Sequence, residues 1–287
     1  EEGGNIRDDE VFVVDVGIAC LGTFELPEHP KNRIRQYETK EAYEKAVQNF
    51  ERKCLELYDY WDENANVRYD QLMKIVRAYG GEDLSGMVNE PFDYRVSLPD
   101  SFTVRIKING KGLRDIVYNF PYVFDVTEAE QLVQPEEARE PDAPFEEKTV
   151  TVLPPTEASP AVCIIDSGIQ ERHKLLRPAV DGAASHSWVG TATETADGVP
   201  SGGHGTRVAG AVLYPREIPK TGTVQPICWL QNARVLEGNR QMPSSLFPPK
   251  LLHEIVQYYH MGHRKTRIFN HSINSIYPCR TVHMSAW

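Results

Sequence analysis

Short apolar runs alternate with helix-like segments in the second part of the chain. The runs AVCIID (161–166), ICWLQNARVL (227–236) and RIFNHSI (267–273) predict buried strands. Between them, TRVAGAVLY and PKLLHEIVQYYH predict helices. This alternation is typical of a parallel sheet with helices on its faces. We therefore expect an α/β fold for residues 161–287.

The first part of the chain carries a different mixture of strand patterns. VFVVDVG (11–17) predicts a buried strand, and SFTVRIKING (101–110) alternates apolar with polar residues. The alternation predicts a strand with one solvated face, followed by an Asn-Gly turn. LRDIVYNF then predicts a short helix and YVFDV another strand. We therefore expect residues 1–127 to form a small α+β domain.

Helical periodicity lies between these strands. Thr39 is a suitable N-cap, and apolar residues then recur at steps of three and four, which places them on one face packed against the core. They are Tyr43, Val47, Phe50, Cys54, Leu57 and Trp61. A second helix is expected over about 68–79, ended by Gly80 and Gly81.

Residues 128–160 differ from both parts in composition. This segment is acidic and rich in proline, with few large apolar residues, and burial cannot compensate for the entropy lost on ordering it. We predict a linker, in which TVTVLPP (149–155) forms an edge strand. The predicted organisation is therefore an N-terminal domain (1–127), a linker (128–160) and an α/β domain (161–287).

Charge and composition exclude some classes of function. The chain has 287 residues and a net charge of −10, which argues against nucleic-acid binding because phosphate contacts need a basic face. The sequence contains no apolar run of the roughly 18 residues that a membrane span needs. Five widely spaced cysteines without a C-x-x-C motif favour reduced thiols and a cytoplasmic location, and they do not suggest a zinc site.

Two short motifs carry the candidate chemistry. Asp166 ends the apolar run AVCIID, so a parallel sheet would deliver its carboxylate to the crevice at the carboxyl ends of the strands. His204, within SGGHGTRVAG (201–210), stands at a predicted helix N-terminus. A carboxylate such as Asp166 would orient its ring and stabilise the charged form. A histidine held by an aspartate is the general-base part of an acyl-transfer triad.

The pair of motifs CIIDSGI and GGHGTRVAGAV resembles the subtilisin-like serine proteases, the subtilases. The resemblance covers residues 161–287, the first part of the family's catalytic domain. It implies a subtilisin-like parallel sheet with flanking helices, here incomplete, and serine endopeptidase activity on polypeptides. Asp166 would orient the general base His204 in an Asp-His-Ser triad. No cofactor and no metal are expected.

The resemblance also places a peptide-binding cleft. TRIFNHSINS is similar to the family strand that pairs with the substrate backbone, so Ser272, Ile273 and Asn274 would line the cleft. ARVLEGNRQMPSSL (233–246) falls where the family has the opposing strand. The chain has Asn274 where the family often has Gly, and it lacks the Gly-Ser-Gly usual after the strand ending near Leu236, which leaves the pocket's depth and selectivity open.

The family's nucleophile motif, Gly-Thr-Ser, is absent from the sequence, as is the Ala-Gly-Asn segment of the oxyanion hole. We expect both to lie beyond Trp287 in a longer protein, and this chain alone to be inactive. The alternative is a non-catalytic peptide-binding module with a degenerate protease fold. A nucleotide-binding domain is disfavoured, because GGHGT lacks both the G-x-G-x-x-G fingerprint and a Walker lysine. By resemblance, residues 1–127 are either an inhibitory propeptide or an accessory domain.

Overall fold

Two compact units make up the chain, and they divide between Ala129 and Glu130. The computed structural model describes residues 6–20, 27–85, 96–98, 101–133, 150–199 and 203–275. The first unit is α+β and the second is α/β, as the sequence predicts.

An antiparallel sheet with two helices forms the first unit. Its elements are β1 (Val11–Ala19), α1 (Lys40–Ala78), β2 (Glu82–Asp83), β3 (Val96–Leu98), β4 (Ser101–Asn109), α2 (Gly110–Asn119) and β5 (Val123–Glu128). The strand order is β2-β4-β1-β5, with β3 also paired to β4. Apart from the added β3, this is the β-α-β-β-α-β arrangement of ferredoxin-like domains. Apolar residues of β1 and β4 form its core with those of α1 and α2.

One continuous helix, α1, replaces the two helices predicted over 39–61 and 68–79. The intervening residues 62–67 contain no glycine or proline, so nothing ends the first helix. Thr39 caps it as predicted, because its hydroxyl accepts a hydrogen bond from the Ala42 amide at 3.1 Å. The predicted apolar face is only half-buried as far as Leu57, and its fully buried part starts at Trp61.

The β4 strand departs from its predicted pattern at two positions. Arg105, expected on a solvated face, is only 2% exposed, because it forms a two-pronged ion pair with buried Asp15 on β1. Nε and Nη2 donate to the two carboxylate oxygens at 2.7 and 2.8 Å. Asn109 does not begin a hairpin turn. Its side chain accepts a hydrogen bond from the Gly112 amide and caps α2.

A parallel sheet forms the centre of the second unit. Its elements are β6 (Leu132–Val133), β7 (Val150–Val152), β8 (Ala161–Asp166), β9 (His186–Ser187), α3 (His204–Leu213), β10 (Gly222–Val224), β11 (Trp229–Arg234), α4 (Pro248–Met261), β12 (Ile268–His271) and β13 (Asn274–Ser275). The order β12-β8-β11-β9 is parallel throughout. Side chains of α4 cover one face of the sheet and those of α3 the other. This confirms the predicted layered α/β fold.

The described ends of the predicted linker 128–160 belong to folded structure. Leu132 is 1% exposed and lies in the core of the second unit, and β6 pairs with β13. The expected edge strand is β7, which pairs in parallel with β10. Residues 134–149, the most acidic and proline-rich part, lie outside the described residues.

No helix in the described part of the chain has the length and apolarity to cross a membrane. The four cysteines in the described ranges, Cys20, Cys54, Cys163 and Cys228, carry free thiols. Cys163 is fully buried in β8, and burial raises the pKa of its thiol.

Candidate active site

Asp166 is the last residue of β8, the central strand with neighbours on both sides. All six residues of β8 are buried, which explains the uninterrupted apolar run that precedes this carboxylate. Asp166 itself has no exposed surface, and its Oδ1 accepts a hydrogen bond from the Ser167 amide at 2.6 Å. The strand therefore holds a buried carboxylate at the carboxyl edge of the sheet.

His204 is the first residue of α3 and lies beside this carboxylate. Its Nδ1 is 2.7 Å from Oδ2 of Asp166, and its side chain is 12% exposed. Because an ionised carboxylate can only accept a hydrogen bond, Nδ1 carries the proton and Nε2 is the basic nitrogen. The two residues predicted to act together are thus brought into direct contact. The arrangement can take a proton at Nε2 and stabilise the imidazolium that results.

Two glycines allow α3 to start so close to β8. Gly203 is the N-cap residue and has a φ of +67°, a left-handed conformation that favours glycine. At Gly205, an added Cβ would overlap the carbonyl oxygen of Gly168 and lie 3.1 Å from Cβ of Asp166. The glycines around His204 are therefore required by the approach of the helix to the strand.

A strand from the chain itself lies between the two segments predicted to bind substrate. Val133 pairs with Asn274 on one side and with Gln241 on the other, both in antiparallel register. The amide of Met242 also donates to the carbonyl of Leu132 at 2.9 Å. Residues 132–133 thus form the middle of a three-stranded arrangement whose outer members follow β11 and β12.

The three predicted cleft residues have different surroundings. Asn274 lies on β13 and faces the inserted strand, as described above. Ile273 is buried in the same apolar cluster as Leu132 and Met242. The Ser272 hydroxyl donates to the side-chain oxygen of Asn270 at 2.8 Å, within its own strand connection. Of these three residues, Asn274 is the one that pairs with the inserted strand, and Ser275 beside it pairs with Leu132.

A known protein family matches most of the second unit. The model of the subtilase family matches residues 157–285. This segment belongs to the subtilase family. It is a subtilisin-like serine protease domain, and the family implies polypeptide substrates. A search of the curated proteins finds no match to the chain.

Two ionisable residues near Asp166 and His204 were given no role by the sequence analysis. Asp197 is buried in the loop before α3, where burial raises its pKa and the charge of Asp166 raises it further. His271 ends β12 next to β8, where burial lowers its pKa and the charge of Asp166 opposes that shift. Within the described ranges, no group of three or more His, Cys, Asp or Glu side chains is arranged to hold a metal ion.

The partly buried His186 and His271 predict a loss of stability in acid. Burial lowers the pKa values of His186 and His271 below 6.5, so between the folded value and 6.5 the unfolded chain binds more protons. The stability that the neutral histidines contribute is fully present above pH 6.5 and is lost as the pH falls through the pKa values of the folded chain. The free energy of unfolding, measured with denaturant, should fall less steeply between about pH 7 and about pH 5.5 in His271→Gln than in the unmodified chain.

The matched control for this prediction is His173→Gln, because His173 is exposed. Its decline should match that of the unmodified chain. Equal slopes for His271→Gln and His173→Gln would contradict the prediction.

Proposed function

We propose that this chain is part of a serine endopeptidase in which Asp166 orients His204 and His204 is the general base. The nucleophilic serine lies in the part of the protein that follows Trp287. The observation that carries the proposal is the 2.7 Å contact between Nδ1 of His204 and Oδ2 of Asp166 at the carboxyl edge of the subtilase sheet.

The proposed chemistry follows from this contact. Nε2 of His204 takes the proton of the serine hydroxyl as the hydroxyl oxygen attacks the peptide carbonyl, and later gives it to the leaving amine. The buried carboxylate of Asp166 stabilises the imidazolium formed between these steps. The Ser167 amide, bonded to Oδ1, keeps that carboxylate turned so that Oδ2 faces the ring.

Peptide hydrolysis separates this function from a non-catalytic binding module. A chain extended past Trp287 through the nucleophile is expected to cleave peptides. A binding module would hold the same peptides, at the same cleft, and release them intact. Binding without any cleavage by a folded, extended chain would favour the module.

The inserted strand supports a cleft between Gln241 and Asn274. Strand addition captures peptides through main-chain hydrogen bonds, with pockets for alternate side chains. Residues 132–133 make such pairings on both sides, and the side chain of Leu132 is buried. We propose that substrates bind in the same position, with Ser272, Ile273 and Asn274 on one side of the cleft.

For the first unit, this strand favours the inhibitory role over the accessory role. Strand β5 ends at Glu128 and β6 begins at Leu132, so the segment in the cleft directly follows the first unit along the chain. We propose that residues 1–127 and this segment act together as a propeptide-like inhibitor.

Leu132→Asp is expected to open the cleft. Burial of a leucine side chain contributes about 1.5–3 kcal/mol to binding of the inserted strand. Without it the strand competes less with an added peptide, whose affinity should rise by about tenfold or more. The measurement is the binding of a labelled peptide spanning residues 128–137 to the present chain. Cleavage is not needed for this measurement.

Gln131→Asp is the matched control, since it adds the same charge at an exposed neighbour. It should leave the affinity unchanged. Because Leu132 lies in an apolar cluster, Leu132→Ala provides a milder variant, and circular dichroism checks the fold of both. Unchanged peptide affinity in a folded Leu132 variant would contradict the proposed occupancy.

A further inference from the structure

Asp197 is a buried carboxylate in the loop between β9 and α3, and the proposed chemistry does not use it. It is 8% exposed, and its Oδ1 accepts a hydrogen bond from the Val199 amide at 3.2 Å. Its Oδ2 is buried and has no hydrogen-bond partner within the described residues. Burial raises the pKa of Asp197, and the charge of Asp166 raises it further. A carboxylate held where its ionisation is opposed calls for a functional explanation.

The carboxylate of Asp197 faces the elements that carry the proposed pair. The Ser167 hydroxyl and the Thr206 amide both lower its pKa; Ser167 follows Asp166 directly, and Thr206 lies in the first turn of α3. Oδ2 is 3.9 Å from the position that a Cβ of Gly203 would occupy. The N-cap residue Gly203 has no side chain to cap the helix. The Asp197 carboxylate lies at this helix N-terminus, where the helix dipole favours a negative charge.

Gln170 joins the same three segments by hydrogen bonds. Its side-chain amide donates to the carbonyl of Asp197 at 3.0 Å, and its backbone amide donates to the Thr206 hydroxyl at 2.9 Å. The loop after β8, the Asp197 loop and the start of α3 are therefore linked to one another. Because the link to Asp197 goes through its backbone carbonyl, it holds the Asp197 loop against the first turn of α3, where Thr206 lies two residues after His204.

We propose that Asp197 is a positioning residue for His204, which it serves by fixing the first turn of α3 and by adding a second negative charge beside the Asp166–His204 pair. This inference rests on the proposed function. Among the described residues, the charge of Asp166 also reaches His271 at the end of β12, Arg207 lies on the same helix as His204, and the Arg234 guanidinium lies 2.9 Å from the position of a Cβ at Gly198, next to Asp197. A carboxylate near the ring favours the imidazolium that forms during acyl transfer.

The test is Asp197→Asn, which removes the charge and keeps the shape. In the present chain, nuclear magnetic resonance follows the ionisation of the His204 ring, and the midpoint should move to lower pH by about half a unit. In the extended chain, the acidic limb of the kcat/KM profile should move in the same direction, with kcat/KM roughly threefold to tenfold lower. A purely structural role would not move either midpoint.

Glu194→Gln is the matched control, because it removes the same charge from an exposed position in the same loop. It should change neither the midpoint nor the rate. Since burial opposes ionisation of Asp197, Asp197→Asn should also be at least as stable as the unmodified chain at neutral pH.

An unchanged His204 midpoint in folded Asp197→Asn would overturn the inference, and so would a general loss of stability with the midpoint unmoved. The resonance measurement does not depend on activity. If the extended chain fails to cleave peptides while the midpoint moves, the proposed function fails and the positioning role of Asp197 stands.

Discussion

Replacing His204 by alanine is expected to abolish peptide hydrolysis by the extended chain. The imidazole of His204 is hydrogen-bonded to Asp166 and can take and return a proton. Loss of the base of a triad lowers kcat by about 10⁴-fold or more, because the serine hydroxyl is then a poor nucleophile. The measurement is steady-state cleavage of a fluorogenic peptide, with the nucleophile present in both chains.

Asp166→Asn tests the orienting role in the same assay. An asparagine can donate to Nδ1, which favours the wrong tautomer of His204, so kcat should fall by about 10⁴-fold with little effect on KM. His173→Ala removes an exposed histidine and serves as the control with full activity. Substantial cleavage by folded His204→Ala would refute the assignment of the general base.

Gly205→Ala is expected to produce the largest effect on the fold of the site. Its new methyl group would overlap the carbonyl oxygen of Gly168 and crowd the Asp166 side chain, so α3 must move away from β8. Forced packing of this kind costs about 1–3 kcal/mol or more in unfolding free energy. The displaced helix would also separate His204 from Asp166. Denaturant unfolding and the pH titration of the His204 ring measure the two consequences.

Gly210→Ala is a matched control in the same helix. Among the described residues, no atom outside the backbone of its own helix lies within 4 Å of the position where its Cβ would be placed. Since alanine is a better helix former than glycine, this variant should be more stable by roughly 0.5–1 kcal/mol. Equal effects of the two substitutions would mean that the close approach of α3 to β8 does not limit residue 205.

Local patterns were sufficient to predict the part of the site that lies on β8 and α3. The apolar run before Asp166 reflects a strand buried on both faces, and the glycines around His204 reflect the approach of a helix to that strand. Both signals arise from neighbours in the sequence. The general layout of the parallel sheet could be predicted for the same reason.

Other features depend on contacts between distant parts of the chain. Arg105 has the polar character of a solvated position, and only its pairing with Asp15, 90 residues away, explains its burial. Asp197 lies in a polar loop, and its role follows from the approach of Ser167 and Thr206. The acidic composition around β6 indicated a linker, although two of its residues pair with strands more than 100 positions further on.

The occupied cleft has a consequence for measurements on the intact chain. A strand that belongs to the same polypeptide competes with added peptides at an effective concentration that reaches the millimolar range for short tethers. Apparent dissociation constants will therefore equal the intrinsic ones divided by the fraction of time that the tethered strand is out of the cleft. Screens of peptide libraries against this chain will underestimate ligand affinities until binding of the tethered strand is weakened.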